Sequence, residues 1–266
     1  MTKVVLSRKG FDASAGGAAS PLLPDGRLIS LPIPEHGTGA RYSSLRAPWG
    51  QSFADVMRQS GMRRVRMRNR WVLLDDGLEA HLDPDLVRTA RPHRPPGWRP
   101  AFGQAGAAQT ILNNAGVGAG DLFLFFGWFR DVRARPRRDL HVIWGWLRVG
   151  SVVTPSTALK PHSDHPHVVL PDRTNNTLYI AADEAFPGVP GAGVLPFGAS
   201  RVLTAPGARG RADWLLPRCL HRAQVLPRHR GRFGENGRFD ARYQWQEFVA
   251  DGEGVEEWAE GLLRAI

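Results

Sequence analysis

Residues 121–130, DLFLFFGWFR, and residues 140–150, LHVIWGWLRVG, decide the fold class. The first run is rich in Phe and the second in Trp, Val and Ile, residues that fit a pleated, packed surface. Neither approaches the roughly 20 apolar residues that a membrane helix needs. The linker between them, RDVRARPRRD, is short, polar and basic, so the pair reads as an antiparallel hairpin with a basic tip. With a period of two, His141, Ile143, Gly145 and Leu147 share one face of the second strand, and Val142, Trp144, Trp146 and Arg148 the other. Both faces carry bulk, which places the hairpin in the centre of a sheet.

Working outward, KVVLS (3–7) reads as a buried strand and RLISLPI (27–33) as a second one, ended by Pro32 and Pro34. SFADVMRQ (52–59) reads as a short helix with Ser52 as N-cap. In RRVRMRNRWVLL (63–74), Val65, Met67 and Trp71 alternate with arginines, the period of a strand. GQAGAAQTILNN (103–114) reads as a helix that the GVGAGD segment ends. VVL (168–170) and TLYIAA (177–182) read as short strands, and GVEEWAEGLLR (254–264) as an amphipathic helix. These elements predict one α+β domain over residues 1–266. Its mixed, mostly antiparallel sheet is loop-rich and flanked by short helices. The core is expected at about residues 3–182, with a decorated basic part at about 183–266.

Composition narrows the function. The chain has 266 residues, 42% of them apolar and 23% charged, which excludes a disordered or collagen-like protein. The single cysteine, Cys219, excludes a disulfide framework and cysteine-built zinc or iron–sulfur centres. It points to a reducing cytoplasm. The apolar stretch Val4–Leu6 is too short for a signal peptide, and no run suits a membrane. The formal net charge is +10, and of the 35 basic residues only Lys3, Lys9 and Lys160 are lysines. Codon usage in a GC-rich genome accounts for part of that arginine bias. The remaining excess favours a polyanionic partner, chiefly nucleic acid.

Five constellations could carry chemistry. In Ser7-Arg8-Lys9-Gly10-Phe11-Asp12, with Ser14 behind, a strand runs into a glycine-rich loop. Its backbone N–H groups, Arg8 and Lys9 could hold a phosphate, and Asp12 could act as a base; a solvated loop is the alternative. In His81-Leu82-Asp83-Pro84-Asp85, an extended chain points His81, Asp83 and Asp85 to one side, for acid–base work or a divalent metal. The competing reading makes Asp83 the N-cap of a helix with Pro84 at its first position. Gln104 and Gln109 carry amides able to read a base edge, or to join helices. His162, Asp164, His165 and His167 have histidine offsets that could hold zinc, without a recognised spacing, and no metal ligand is assigned. Trp128, beside Arg130 at the hairpin end, is the best base-stacking candidate among aromatics that otherwise read as core. Arg130, Arg133, Arg135, Arg137 and Arg138 suit a phosphate backbone. No Rossmann fingerprint or P-loop is present, so the cofactor stays open.

VVLSRKGFDASAGGAASPLLPDGRLISLPIPE, HLDPDL, FGQAGAAQ and GVGAGDLFLFFGWFR followed by HVIWGWLRVG resemble the third class of nucleotide modification-associated domains, found in bacteria and phages. The match is densest over about residues 3–150. A shorter similarity, around residues 103–150, links the chain to PUA-like domains of the ASCH and EVE types, which are small, partly open barrels. The first resemblance implies a protein of nucleic-acid base modification, an enzyme of a base hypermodification pathway acting on DNA or a nucleotide, with further pathway enzymes as partners. The second implies a non-catalytic reader of modified bases. Asp12, His81, Asp83 and Asp85 are then the expected catalytic groups. Arg8, Lys9, Ser14, Gln104, Gln109, Trp128 and Arg130 are the expected substrate contacts.

Overall fold

The computed structural model describes residues 1–132, 138–156, 159–221, 224–242 and 247–265. At its centre is the expected hairpin: Leu122–Asp131 pairs antiparallel with Asp139–Val153, Leu122 opposite Arg148 and Arg130 opposite Asp139. Val4–Arg8 and Ser20–Leu22 lie parallel to the first of these strands. Glu247–Ala250 pairs antiparallel with Val4–Arg8 and forms one edge of the sheet. On the other side, Thr177–Ala181 pairs antiparallel with Asp139–Val153, and Ala101–Gln104 with Thr177–Ala181, forming the other edge. The result is an α+β fold on a mostly antiparallel, open sheet. The Glu247–Ala250 strand comes from the basic C-terminal part, so that part completes the sheet.

Alternation along Leu122–Asp131 packs both faces. Leu122, Leu124 and Phe126 join Val4, Leu6, Trp214, Phe248 and the helix Val255–Arg264 on one side. Phe123, Phe125 and Phe129 join Val5, Phe102, Leu112 and Tyr179 on the other. In the return strand the period breaks. Phe125 faces Gly145 while Phe126 faces Ile143, so Trp144 is the extra residue of a bulge. Beyond it the faces exchange. Trp146 packs with Ile143, and Leu147 with Val142, against the simple alternation expected from sequence.

Four further expectations are corrected. Of residues 27–33 only Ile33 enters a strand, Ile33–Pro34, paired with Ala80–His81; Pro32 and Pro34 have no N–H to extend the ladder. Residues 63–74 form two strands, Arg64–Met67 and Arg70–Leu73, because Arg68 turns the chain at φ 56°. The expected 103–114 helix begins only at Gly106, whose φ of 61° lets the chain break from the strand Ala101–Gln104. VVL (168–170) lies mainly in the helical turn Pro166–Val169. The helix Phe53–Gln59 forms as expected, with Ser52 Oγ accepting from Asp55 N at 3.1 Å. It packs Phe53, Val56 and Met57 against Leu31, Tyr42, Val65 and Leu82. Among the described residues no helix is long and apolar enough to cross a membrane.

The sheet curls around Phe102, Phe123, Phe125 and Tyr179, whose ring centroids lie 4.9–6.0 Å apart. Curling brings the two edge strands toward each other. They share no backbone ladder, yet Gln104 Nε2 on one donates to Glu247 Oε1 on the other at 2.5 Å. The sheet is therefore not a closed barrel, and side chains bridge its seam.

Candidate functional site

Beside that seam lies a cleft of about 340 Å³. Arg8, Lys9, Gly10, Asp12, Ser14, His81, Asp83 and Gln104 line it, joined by Glu35, His167 and Arg173. The strand Val4–Arg8 delivers Arg8 and Lys9 to its rim, and Gly10, at φ 89°, then turns the chain away. The short ladder Ile33–Pro34 against Ala80–His81 puts Glu35 beside His81. Asp83 follows two residues later, its Oδ1 accepting from Gly103 N at 2.6 Å. His167 enters from the turn Pro166–Val169 and occupies the space that a side chain on Gly103 would take.

The hydrogen bonds fix how these rings point. Asn176 Nδ2 donates to two carbonyls, His167 O at 2.9 Å and Pro171 O at 3.0 Å. Its Oδ1 must therefore accept from His167 Nδ1, 2.6 Å away, which leaves the lone pair of His167 on Nε2. Glu35 works likewise: its carboxylate faces His81 Nδ1 at 2.5 Å and is held by Arg173 at 2.8–2.9 Å. Burial would raise Glu35, but the hydrogen bond to His81 and the Arg173 guanidinium lower its pKa to about 2. His81 Nε2 and His167 Nε2 then face Asp83 Oδ2 at 3.9 and 4.0 Å. All three residues are buried, and these donor atoms lie within 4.8 Å of one another.

The surroundings set the charge. Burial lowers His167 to about 3 despite Asp83 nearby, so its ring is neutral at pH 7. Burial works to raise Asp83, but His165, Lys9 and His167 hold it well below the usual carboxylate range. Lys9 Nζ lies 3.9 Å from Asp83 Oδ2 and 4.3 Å over the Phe102 ring. Gln104 uses both ends of its amide, donating to Glu247 and accepting from Ala105 N at 3.1 Å. Burial pushes the Glu247 carboxyl up, against Lys9 and the hydrogen bonds from Ser7 and Gln104.

The other sequence candidates fall elsewhere or have structural partners. Asp12 Oδ1 accepts from Ser14 N, Ser14 Oγ and Ala15 N at 2.6–2.8 Å, which shapes the glycine-rich loop. Its Oδ2 lies 3.8 Å from Arg8. Asp85 is outside the cleft lining: it forms a buried two-pronged pair with Arg94, at 2.5 and 2.7 Å. The Asp83-Pro84 peptide is cis, and the chain continues extended through Asp85, so no helix starts at Asp83; the next helical turn is Arg88–Ala90. Gln109 is fully buried and bonds Asn113 and Tyr179. Trp128 is covered by Arg211, whose guanidinium carbon sits 4.1 Å from the ring, and Arg130 pairs with Asp139 at 2.6 Å. Arg133, Arg135 and Arg137 lie outside the described residues; Arg138 bonds Ala205 O at 3.1 Å.

Sequence reading missed Glu35, Arg173, Asn176 and Glu247. Neither Glu35 nor Asn176 stands in a segment whose residue pattern marks it for chemistry. His167 was visible within the histidine loop, but nothing in its spacing tied it to His81 and Asp83. Of that loop's other polar residues, Asp164 pairs with Arg91 and Arg94 at 3.6 and 3.2 Å. His165 Nδ1 accepts from His167 N at 3.2 Å, and its Nε2 lies 3.4 Å from Asp83 Oδ1.

The chain is thus an α+β protein with an open sheet, beside whose seam a cleft gathers buried imidazoles and a carboxylate with arginines at its lining. The family model for nucleotide modification associated domain 3 matches residues 3–251, nearly the whole chain, and the protein belongs to that family. A role in nucleic-acid modification, with nucleic acid or nucleotide as partner, accords with that membership. No curated protein and no solved structure matches the chain.

Proposed function

We infer that this chain is an enzyme that chemically alters a base in nucleic acid, with DNA as the preferred polymer. The observation that carries the reading is the buried floor of the cleft, where His81, Asp83 and His167 converge beneath Arg8 and Arg173. Clusters of buried ionisable groups in a cleft are a mark of reaction centres. Membership of a nucleotide-modification family gives the floor its substrate class. A cleft of about 340 Å³ takes one base and not a duplex. The target base must then come from single-stranded nucleic acid or be flipped out of the stack.

In this reading Arg8 and Arg173 receive phosphate oxygens, and the net charge of +10 draws the polymer in. His81, Asp83 and His167 face the reacting part of the base. Lys9 offers a charge to an anion that develops there. Asp12 and Ser14 hold the loop in shape, and Gln104 serves as a positioned wall.

Nucleoside mass spectrometry on DNA and RNA from a host expressing the full chain tests this, with His167→Ala and Asp12→Ala beside it. A new nucleoside in DNA that disappears with His167→Ala is the expected result. Unchanged nucleosides in both polymers, with tighter binding to modified than to plain oligonucleotides, would replace the enzyme by a reader of modified bases.

A further inference from the structure

Three atoms able to bind a metal meet at the floor of the cleft with no hydrogen bond between them. His81 carries its ring hydrogen on Nδ1, toward Glu35, and His167 carries its own on Nδ1, toward Asn176. His167 Nε2 therefore presents a lone pair, and His81 Nε2, on the far side of its ring from Glu35, is turned to the same place. Asp83 Oδ1 is taken by Gly103 N and faces His165 Nε2, so Oδ2 is the oxygen turned to the two imidazoles. Three polar atoms that converge at the end of a cleft, with no protein hydrogen bond between them, can be satisfied together by one cation standing among them. Lys9 Nζ, 3.9 Å from Asp83 Oδ2, is too far to hydrogen-bond.

We propose that His81 Nε2, Asp83 Oδ2 and His167 Nε2 hold one divalent first-row transition-metal ion, with Glu35 and Asn176 orienting the imidazoles from behind. Two imidazoles and a carboxylate are a donor set for iron, manganese, cobalt or zinc, and they leave coordination positions open. Ligands at 2.0–2.2 Å from an ion require each donor atom to close in by roughly 0.3–0.5 Å from the present spacing. Histidine ligands whose far nitrogen donates to a carboxylate or amide oxygen are the usual outer-shell arrangement of metal sites, and here both have it. The open positions face the cleft, between the donors and the rim formed by Arg8, Asp12 and Arg173. This deepens the function proposed above by naming what its floor holds, and rests on that reading only for the ion's use in catalysis.

The test reads binding and not turnover. Full-length protein is stripped with a chelator, then titrated anaerobically with Co(II), followed by visible absorption, and with Zn(II), followed by calorimetry. One ion per chain is expected, with a Co(II) spectrum of nitrogen and oxygen ligands. His81→Ala and His167→Ala should each weaken binding by about 100-fold or more, and Asn176→Ala by about 10- to 100-fold. Lys9→Met should tighten it, since a competing charge is removed. His162→Ala, in the same histidine loop but outside the triad, should leave it unchanged. Thermal melts guard against misfolding: added Zn(II) should raise the Tm of wild type and not of His81→Ala. Stripped wild type that takes up neither ion saturably, or variants that bind as wild type does, would overturn the proposal. Metal uptake without a new nucleoside would keep the ion and remove the base-modification reading; a new nucleoside from metal-free protein would do the reverse.

Discussion

Gly103→Ala puts the construction of the site to a quantitative test. A β-carbon on Gly103 would stand 2.2 Å from His167 Cδ2, 2.4 Å from Cγ and 2.7 Å from Nε2, where ordinary contact begins near 3.4 Å. Gly103 lies in a strand and outside the left-handed region, so the substitution adds no backbone strain. The whole cost is steric. The imidazole has to retreat by roughly 1 Å, and it cannot do so freely because Asn176 holds Nδ1 from behind at 2.6 Å. Overpacking of this kind costs about 1–3 kcal/mol, which in a chain of this size lowers Tm by roughly 2–5 °C. A reacting group displaced by about 1 Å also loses about 100-fold in rate. Urea unfolding gives the stability, and a double-mutant cycle with His167→Ala isolates the clash. Once His167→Ala has removed the ring, the added methyl at position 103 has room. The double variant should therefore be less damaged than the two singles together by about 1–2 kcal/mol. Additive losses would refute the argument, as would a Gly103→Ala protein with wild-type stability and wild-type nucleoside products.

Three further outcomes follow from single contacts. Arg94→Met removes the buried partner of Asp85, whose carboxyl burial already pushes up, and should cost about 3–5 kcal/mol in urea unfolding; a loss typical of an exposed pair, below about 1 kcal/mol, would contradict it. Asp12→Ala strips the loop of three hydrogen bonds, so amide exchange at Ser14 and Ala15 should quicken by about tenfold or more, and unchanged exchange would show that Asp12 does not shape the loop. Burial raises Glu247, so the folded chain keeps a proton that the unfolded chain releases once pH passes about 4.3. Stability is therefore lost as pH rises from there to the raised folded value, at about 1.4 kcal/mol per pH unit. Glu247→Gln has no such proton, so its advantage over wild type should grow through that window; a gap that stays constant between about pH 4 and 8 would refute the reasoning.

What was legible in the sequence followed the range of the interactions. The hairpin showed because apolar alternation is local, and Ser52 showed because a cap lies next to its helix. The bulge at Trp144 did not show: an extra residue in one strand is defined only by its partner, and no single-strand pattern marks it. Of the residues lining the cleft, Arg8, Lys9, Asp12, Ser14, His81, Asp83 and Gln104 stood out in the sequence because strand ends, glycine turns and short polar clusters announce themselves. Asp85 stood in the same motif as Asp83, yet an arginine nine residues on takes it into the core. Asn176 and Glu247 carry no local signal, since their roles depend on pairing with His167 and with Gln104.

The seam explains why the site is where it is. Had the edge strands Ala101–Gln104 and Glu247–Ala250 closed a barrel, their N–H and C=O groups would have paired in a ladder, leaving no concave space between them. Instead the backbones stay apart, and one hydrogen bond, Gln104 to Glu247, with Ser7 Oγ donating to the same carboxyl at 3.0 Å, spans the gap. Buried polar side chains at a seam are costly unless partnered; here Glu247 Oε1 accepts both hydrogen bonds, while Oε2 is buried without a hydrogen-bond partner. The bridge ties down the strand end that carries Gly103 and Gln104, and Gly103 in turn positions both Asp83, by its N–H, and His167, by its missing side chain. The geometry of the cleft floor is thus set partly from the seam, through one glycine, and partly by Glu35 and Asn176, which orient the two imidazoles.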